Sequence, residues 1–138
     1  MKIEIRYLSK SGNTKKLADA IGEELEVKAL DISNNIKEKT AILFLGGAYY
    51  GFDIDKELKA FIESLDDKVK KVAIFSTSAF MKGVPKRIKK HLKRKNIEVI
   101  DETFYCKGEY RNTNIGKPDD NDLTNIKAFA SMIISNLS

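Results

Sequence analysis

Ser9, Ser11 and Thr14 supply three hydroxyls to the segment Ser9-Lys10-Ser11-Gly12-Asn13-Thr14, which follows a strand-like run, Ile3 to Leu8, and precedes a helix-like run, Lys15 to Leu25. Hydroxyl donors, unpaired backbone N–H groups and the positive end of a helix dipole converge in a turn of this kind, and a phosphate suits them. The segment is not a nucleotide P-loop, because the Gly-Lys-Ser/Thr ending and the longer glycine spacing are missing. It is not a dinucleotide fingerprint either, since it contains a single glycine, Gly12. A structural alternative stands beside the anion site: Ser11 or Asn13 can simply cap the following helix.

The elements that must position this segment follow from periodicity. Apolar runs at Ile3 to Leu8, Glu26 to Leu30, Ala41 to Leu45, Val72 to Phe75 and Ile97 to Tyr105 predict five strands, the third and fourth nearly all apolar, as in central strands covered on both faces. Helical spacing groups Leu17, Ala18, Ile21 and Leu25; Ile54, Leu58, Phe61, Ile62 and Leu65; and Leu123, Ile126, Ala130, Ile133, Ile134 and Leu137. Pro85 suits the first turn of a further helix bearing Ile88 and Leu92. Ser33 to Lys39 reads as one or two helical turns or as a loop. This alternation over 138 residues predicts one α/β domain, residues 1–138: a three-layer α/β/α sandwich around a five-stranded parallel sheet of order 2-1-3-4-5.

Composition narrows the function classes. The chain starts Met1-Lys2-Ile3, straight into a strand, with no apolar leader and no apolar stretch long enough to cross a bilayer; a cytoplasmic protein is expected. The single cysteine, Cys106, excludes an intramolecular disulfide and a cysteine-cluster metal site, and the single histidine, His91, argues against histidine-based metal or catalytic chemistry.

In a sheet of this order the ligand lies outside the carboxyl ends of the strands, where the order reverses between the first and third. Three loops meet there. The first is Ser9 to Thr14, the second Gly46-Gly47-Ala48-Tyr49-Tyr50-Gly51-Phe52-Asp53, and the third Ser76-Thr77-Ser78-Ala79-Phe80-Met81-Lys82-Gly83. Isoalloxazine, a flat and mostly apolar ring with polar atoms along one edge, needs aromatic faces and backbone groups. Tyr49, Tyr50, Phe52 and Phe80 supply faces. Gly46, Gly47 and Gly51 would let a peptide approach the ring closely or turn over. Aromatics that close the core and glycines that serve tight turns are the alternative reading.

With these residues in place, the chain resembles the flavodoxin family over nearly its whole length. The resemblance rests on Ser9 to Thr14, on Gly46-Gly47-Ala48-Tyr49-Tyr50-Gly51, and on Phe104-Tyr105-Cys106-Lys107-Gly108, which looks like the fifth strand of short flavodoxins. It implies noncovalent FMN, with Ser9, Lys10, Ser11, Gly12, Asn13 and Thr14 around the phosphate. Gly47, Ala48, Tyr49, Tyr50, Gly51 and Phe52 would flank the ring from the second loop, and Thr77, Ser78, Ala79, Phe80 and Gly83 from the third. The chain departs from the family in charge and in aromatics. Typical flavodoxins are strongly acidic and commonly set a tryptophan beside the ring, whereas this chain has no tryptophan and a formal net charge of +5.

The positive charge is local. Lys82, Lys86, Arg87, Lys89, Lys90, Lys93, Arg94 and Lys95 lie in one stretch without an acid; setting these eight aside leaves 17 basic against 20 acidic residues, about −3. A solvated helix face is one reading; docking of an acidic redox partner is another, favoured over nucleic acid or anionic lipid because the run begins beside the expected flavin. Cys106 and Arg111 are spaced one residue short of a phosphatase loop and lie after the last strand, so a buried strand-end thiol is expected. Asp119, Asp120 and Asp122 follow Pro118 where a helix start favours carboxylates.

The function this implies is a low-potential electron carrier that binds FMN and serves redox partner proteins, docking them at the helix Lys86 to Lys95. A flavodoxin-like FMN enzyme of the quinone reductase or protoporphyrinogen oxidase type is the alternative, and a cofactor-free interaction module is a third. No specific nucleic acid and no metal are expected.

Overall fold

A computed structural model describes residues 1–50, 53–78 and 84–137, apart from the side chains of Tyr49, Tyr50 and Val84. In chain order the elements are β1 (Ile3–Tyr7), α1 (Asn13–Leu25), β2 (Ala29–Asp31), β3 (Thr40–Tyr50), β4 (Asp53–Ile54), α2 (Lys56–Ser64), β5 (Val69–Ser78), α3 (Val84–Arg94), β6 (Glu98–Val99), β7 (Phe104–Lys107) and α4 (Asp120–Leu137).

The sheet runs β2-β1-β3-β5-β6, with β7 also paired to β5. All of these pairings are parallel. This is the expected 2-1-3-4-5 order, β5 being the fourth long strand and β6 with β7 together filling the place of the fifth. The expected single strand Ile97 to Tyr105 is instead broken in two. Val72 pairs with Val99 and Phe75 with Phe104, so three steps along β5 face five along the edge. The two extra residues bulge outward with the exposed Asp101 and Glu102, which the apolar face could not accommodate.

The central strands are longer than their apolar runs. Gly46, Gly47, Ala48, Tyr49 and Tyr50 belong to β3, and Ser76, Thr77 and Ser78 to β5, where loops were expected. Neighbouring side chains explain the glycines. A Cβ on Gly46 would stand 2.2 Å from Phe75 Cε2, and one on Gly47 2.6 Å from Leu58 Cδ2, so each strand position is already filled by a side chain from the next element. The strand then turns back on itself: Tyr49 and Tyr50 pair antiparallel with Ile54 and Asp53. Ile54, expected at the start of a helix, is buried from this short strand, and α2 begins after it, capped by Asp55, whose carboxylate accepts from Glu57 N–H.

Each face of the sheet buries its own core. Ile5, Tyr7, Ile42, Phe44, Ala73 and Phe75 pack against Leu17, Ala18 and Ile21 of α1 and Ile126, Phe129, Ala130 and Ile133 of α4. Leu43, Leu45, Val72 and Ile74 pack on the other face against Leu58, Phe61 and Ile62 of α2 and Ile88 and Leu92 of α3. Alternate strand residues thus serve opposite layers, the three-layer arrangement expected.

Residues 32–39 form no helix. Asp31 Oδ1 instead accepts from Ser33 N–H at 2.8 Å and also pairs with the Ser33 hydroxyl, which turns the chain. Arg6, 4% exposed, holds the segment from beneath: its guanidinium donates to the carbonyls of Asn34 (2.8 Å) and Asn35 (3.3 Å) and to Glu4 (2.7 Å). Among the described residues no helix is long and apolar enough to cross a membrane.

Candidate functional site

Ser9 to Thr14 links the carboxyl end of β1 to α1. Gly12 has φ +92°, a left-handed conformation that glycine adopts without steric cost, and nothing lies within 4 Å of where its Cβ would stand. Ser9 Oγ accepts from Gly12 N–H at 3.0 Å, and Ser11 Oγ from Asn13 N–H at 3.4 Å, leaving both hydroxyl protons for another acceptor. Among the described residues the N–H groups of Thr14 and Lys15 meet no acceptor. The first turn of α1 holds no acid, so no carboxylate of its own neutralises the positive end of the dipole. The capping residue is Gly12, not Ser11 or Asn13.

Asn13 and Thr14 are turned inward. Asn13 donates from Nδ2 to the Glu109 carbonyl (2.9 Å), and Gly108 makes room for it, since a Cβ there would stand 2.6 Å from that nitrogen. Thr14 Oγ1 lies 2.9 Å from Thr77 Oγ1, both side chains buried. The loop after β1 is thereby fastened to β5 and to the chain following β7, across the point where the strand order reverses. Lys10 reaches the start of α2, its ammonium 2.7 Å from Asp55 Oδ2. That ion pair and the Glu57 N–H hold the Asp55 carboxyl below the usual range.

On the far side, the Ser78 carbonyl accepts from Gly108 N–H (3.2 Å) and from the Tyr105 hydroxyl (3.2 Å). Ser76 Oγ, fully buried beside Gly47, has no hydrogen-bond partner among the described residues. Asp53, next to the β3–β4 turn, is lowered to about 2 by its hydrogen bond with Lys59; Lys59 Nζ lies 2.9 Å from Asp53 Oδ2 and His91 Nε2 3.6 Å from it. The His91 side chain is mostly buried against this carboxylate.

Of the residues expected around a ligand, Ser9, Lys10, Ser11, Gly12, Asn13, Thr14, Gly47, Ala48, Thr77 and Ser78 come together at the carboxyl ends of β1, β3 and β5, while Tyr49 and Tyr50 continue β3 beyond them. Gly51, Phe52, Ala79, Phe80 and Gly83 lie outside the described residues, as do Met81 and Lys82. Sequence reasoning missed the buttresses: Asp55, Gly108 and Glu109. Asp55 was signalled by its position two residues before Glu57 at a helix start, while Gly108 and Glu109 matter only through contacts distant in sequence.

The donor set fits a phosphate. Unpaired N–H groups, two free hydroxyl protons, an open glycine and a first turn without acid are what an anion needs, and they stand at the switch point of a doubly wound sheet. The fold is that of a flavodoxin-type α/β protein. The sequence matches the flavodoxin domain family over residues 4–119, and the chain belongs to the flavodoxin family. It is 30% identical over 90% of its length to an uncharacterized protein of Methanocaldococcus jannaschii, covering 91% of that protein. Its structure is similar to that of a flavodoxin from the domain Archaea (TM-score 0.81, 22% identity, 99% of this chain and 98% of the other). It is also similar to a Lactobacillus acidophilus flavoprotein solved in complex with FMN (TM-score 0.62, 18% identity, 77% and 92%).

Proposed function

We propose that the protein is an FMN-binding flavodoxin that carries electrons at low potential between redox proteins. The observation that carries this reading is the pair of unpartnered N–H groups at Thr14 and Lys15 beside the Ser9 and Ser11 hydroxyls, in a first turn that holds no acid. Bound FMN would supply the redox chemistry. The chain's task is to hold it. Ser9, Ser11 and the backbone of Gly12, Asn13 and Thr14 would grip the phosphate by neutral donors, and Lys10 would add a cation at the rim. Gly47 and Ala48 on β3 and Thr77 and Ser78 on β5 would border the ribityl chain and ring. Tyr49, Tyr50, Gly51 and Phe52 would shield one side of the ring, and Ala79, Phe80 and Gly83 the other. The likeness to a flavoprotein in complex with FMN supports the choice of cofactor.

Titration of the purified protein with FMN and, separately, with riboflavin tests the reading. Quenching of flavin fluorescence by FMN at stoichiometric ratio, with much weaker quenching of riboflavin, is expected, followed by anaerobic reduction in two resolved one-electron steps. Binding without resolved steps, together with turnover of NAD(P)H and a quinone, would replace the carrier by a flavin enzyme. Failure to bind either flavin would leave an interaction module.

A further inference from the structure

α3 has a core side and a charged side. Pro85, Ile88 and Leu92 are buried, whereas Lys86, Arg87, Lys90, Lys93 and Arg94 are exposed. Helical spacing stacks Lys86, Lys90 and Lys93 along the outer face with Lys89 and Arg94 at its borders, and these five residues line one shallow surface depression. Two carboxylates stand at the margins: Asp101 lies 3.7 Å from Lys89 and Glu63 4.0 Å from Lys95. Among the described residues, no ion pair reaches Lys86, Lys90, Lys93 or Arg94.

The arrangement works against the helix that bears it. Lys86 with Lys90, Lys89 with Lys93 and Lys90 with Arg94 are like charges four apart, each costing a few tenths of a kcal/mol. Lys86 and Arg87 also stand near the helix start, where the dipole favours acids and where none is found. His91, Lys93 and Arg94 in the last turn are favoured, so helix stability accounts for them and leaves the charges at the beginning of the helix unexplained. That end is the one joined to β5 through residues 79–83, on the same edge of the sheet as Thr14 and Thr77.

From the charge, its geometry and its direction, we infer that the outer face of α3 is the docking surface for an acidic one-electron redox protein. The inference rests on the carrier reading above. A patch of +5 on a molecule whose other basic and acidic residues balance, 20 against 20, gives a directed field, and such fields accelerate encounter with an oppositely charged partner by about 10–10³-fold. No exposed apolar side chain projects from the described part of the helix to enter a membrane. From Lys86 to Arg94 the patch is about 12 Å long on one helix, short for tracking a nucleic acid backbone. A partner that takes electrons must also reach the ligand end of the sheet, so Lys86 and Lys90 should matter more than Arg94.

The test uses the FMN-loaded protein, reduced with dithionite and mixed in a stopped-flow instrument with oxidised rubredoxin, an acidic probe, or oxidised cytochrome c, a basic one. In each encounter one electron leaves the reduced flavin and converts one ferric iron of the probe to ferrous. The rate with rubredoxin should be high at low salt and fall tenfold or more as salt is raised, and the rate with cytochrome c should not fall. The variant K86Q/K90Q/K93Q should lose most of the rubredoxin advantage and its salt dependence while binding FMN as before, and K86Q alone should lose more than R94Q. Equal rates and salt slopes in wild type and triple variant, both loaded with FMN, would overturn the docking surface and leave the carrier reading intact. If neither protein takes up FMN, the carrier reading fails and the docking inference with it. Binding of a duplex oligonucleotide or of phosphatidylserine vesicles that the triple variant loses, with unchanged rubredoxin rates, would assign the face to that anion instead.

Discussion

Thr14 Oγ1 and Thr77 Oγ1 form a buried hydrogen bond of 2.9 Å that joins the first turn of α1 to β5 over the intervening strand β3. The bond sets how far the candidate phosphate loop stands from the carboxyl end of β5. Replacing one partner strands a buried hydroxyl, at about 1–3 kcal/mol. Thr14→Val and Thr77→Val should therefore each lower stability and weaken FMN binding, and the double variant should cost less than the sum of the two. Urea denaturation and FMN fluorescence titration in a double-mutant cycle read both effects.

Gly46 is held by packing, not by backbone freedom. A Cβ at that position would overlap the Phe75 ring at 2.2 Å, and Phe75 is fully buried in the core beneath α1 and α4. Gly46→Ala should destabilise the protein by about 1–3 kcal/mol through overpacking. A fall in the urea midpoint without a change in slope is the expected observation.

Gly108 lets Asn13 reach the Glu109 carbonyl, since an added Cβ would meet Asn13 Nδ2 at 2.6 Å. Gly108→Ala should displace the loop that precedes α1. FMN affinity should then fall while riboflavin affinity, which lacks the phosphate contribution, changes little. Parallel titrations with the two flavins measure the difference.

Asp53 titrates at about 2 in the folded protein against an ordinary 3.8, chiefly through its hydrogen bond with Lys59. A depressed carboxylate contributes stability above its unfolded value and loses it as pH falls through the folded one. The contribution of Asp53 should disappear between about pH 4 and pH 2. It should be small, because a third of the side chain is exposed and solvent screens the pair. Asp53→Asn should flatten that part of the acid limb of a stability–pH profile measured by thermal melting.

Cys106 lies buried in β7, where burial, with a further push from the Asp122 carboxylate, raises the thiol to about 12. At pH 8 the native thiol should react with a disulfide reagent far more slowly than in urea. Equal rates in the two conditions would show that the strand end is open.

Much of this protein's fold is legible in its local sequence. Apolar runs and helical stripes report on what each residue touches within one or two turns or along one strand, so α1, α2, α3, α4 and the parallel order followed from local pattern. Strand ends did not. Gly46, Gly47, Ser76 and Thr77 look like loop residues by type, and they extend β3 and β5 because Phe75 and Leu58 fill the glycine positions and Thr14 satisfies Thr77. The acidic pair that splits the edge strand and the buried Arg6 beneath residues 34 and 35 likewise depend on partners the local sequence does not reveal.

The sequence by itself determined the layer order, the place of the reversal between β1 and β3, the position of the Ser9 to Thr14 segment between β1 and α1 and the run of positive charge on α3, because each is written in residues close together along the chain. The tertiary structure alone decided how that loop is braced, by Asp55 from α2, by Thr77 from β5 and by Gly108 and Glu109 after β7. Those partners are separated from the loop by tens of residues and come within hydrogen-bond distance only when the strands have stacked, so their role is a property of packing that no local pattern encodes.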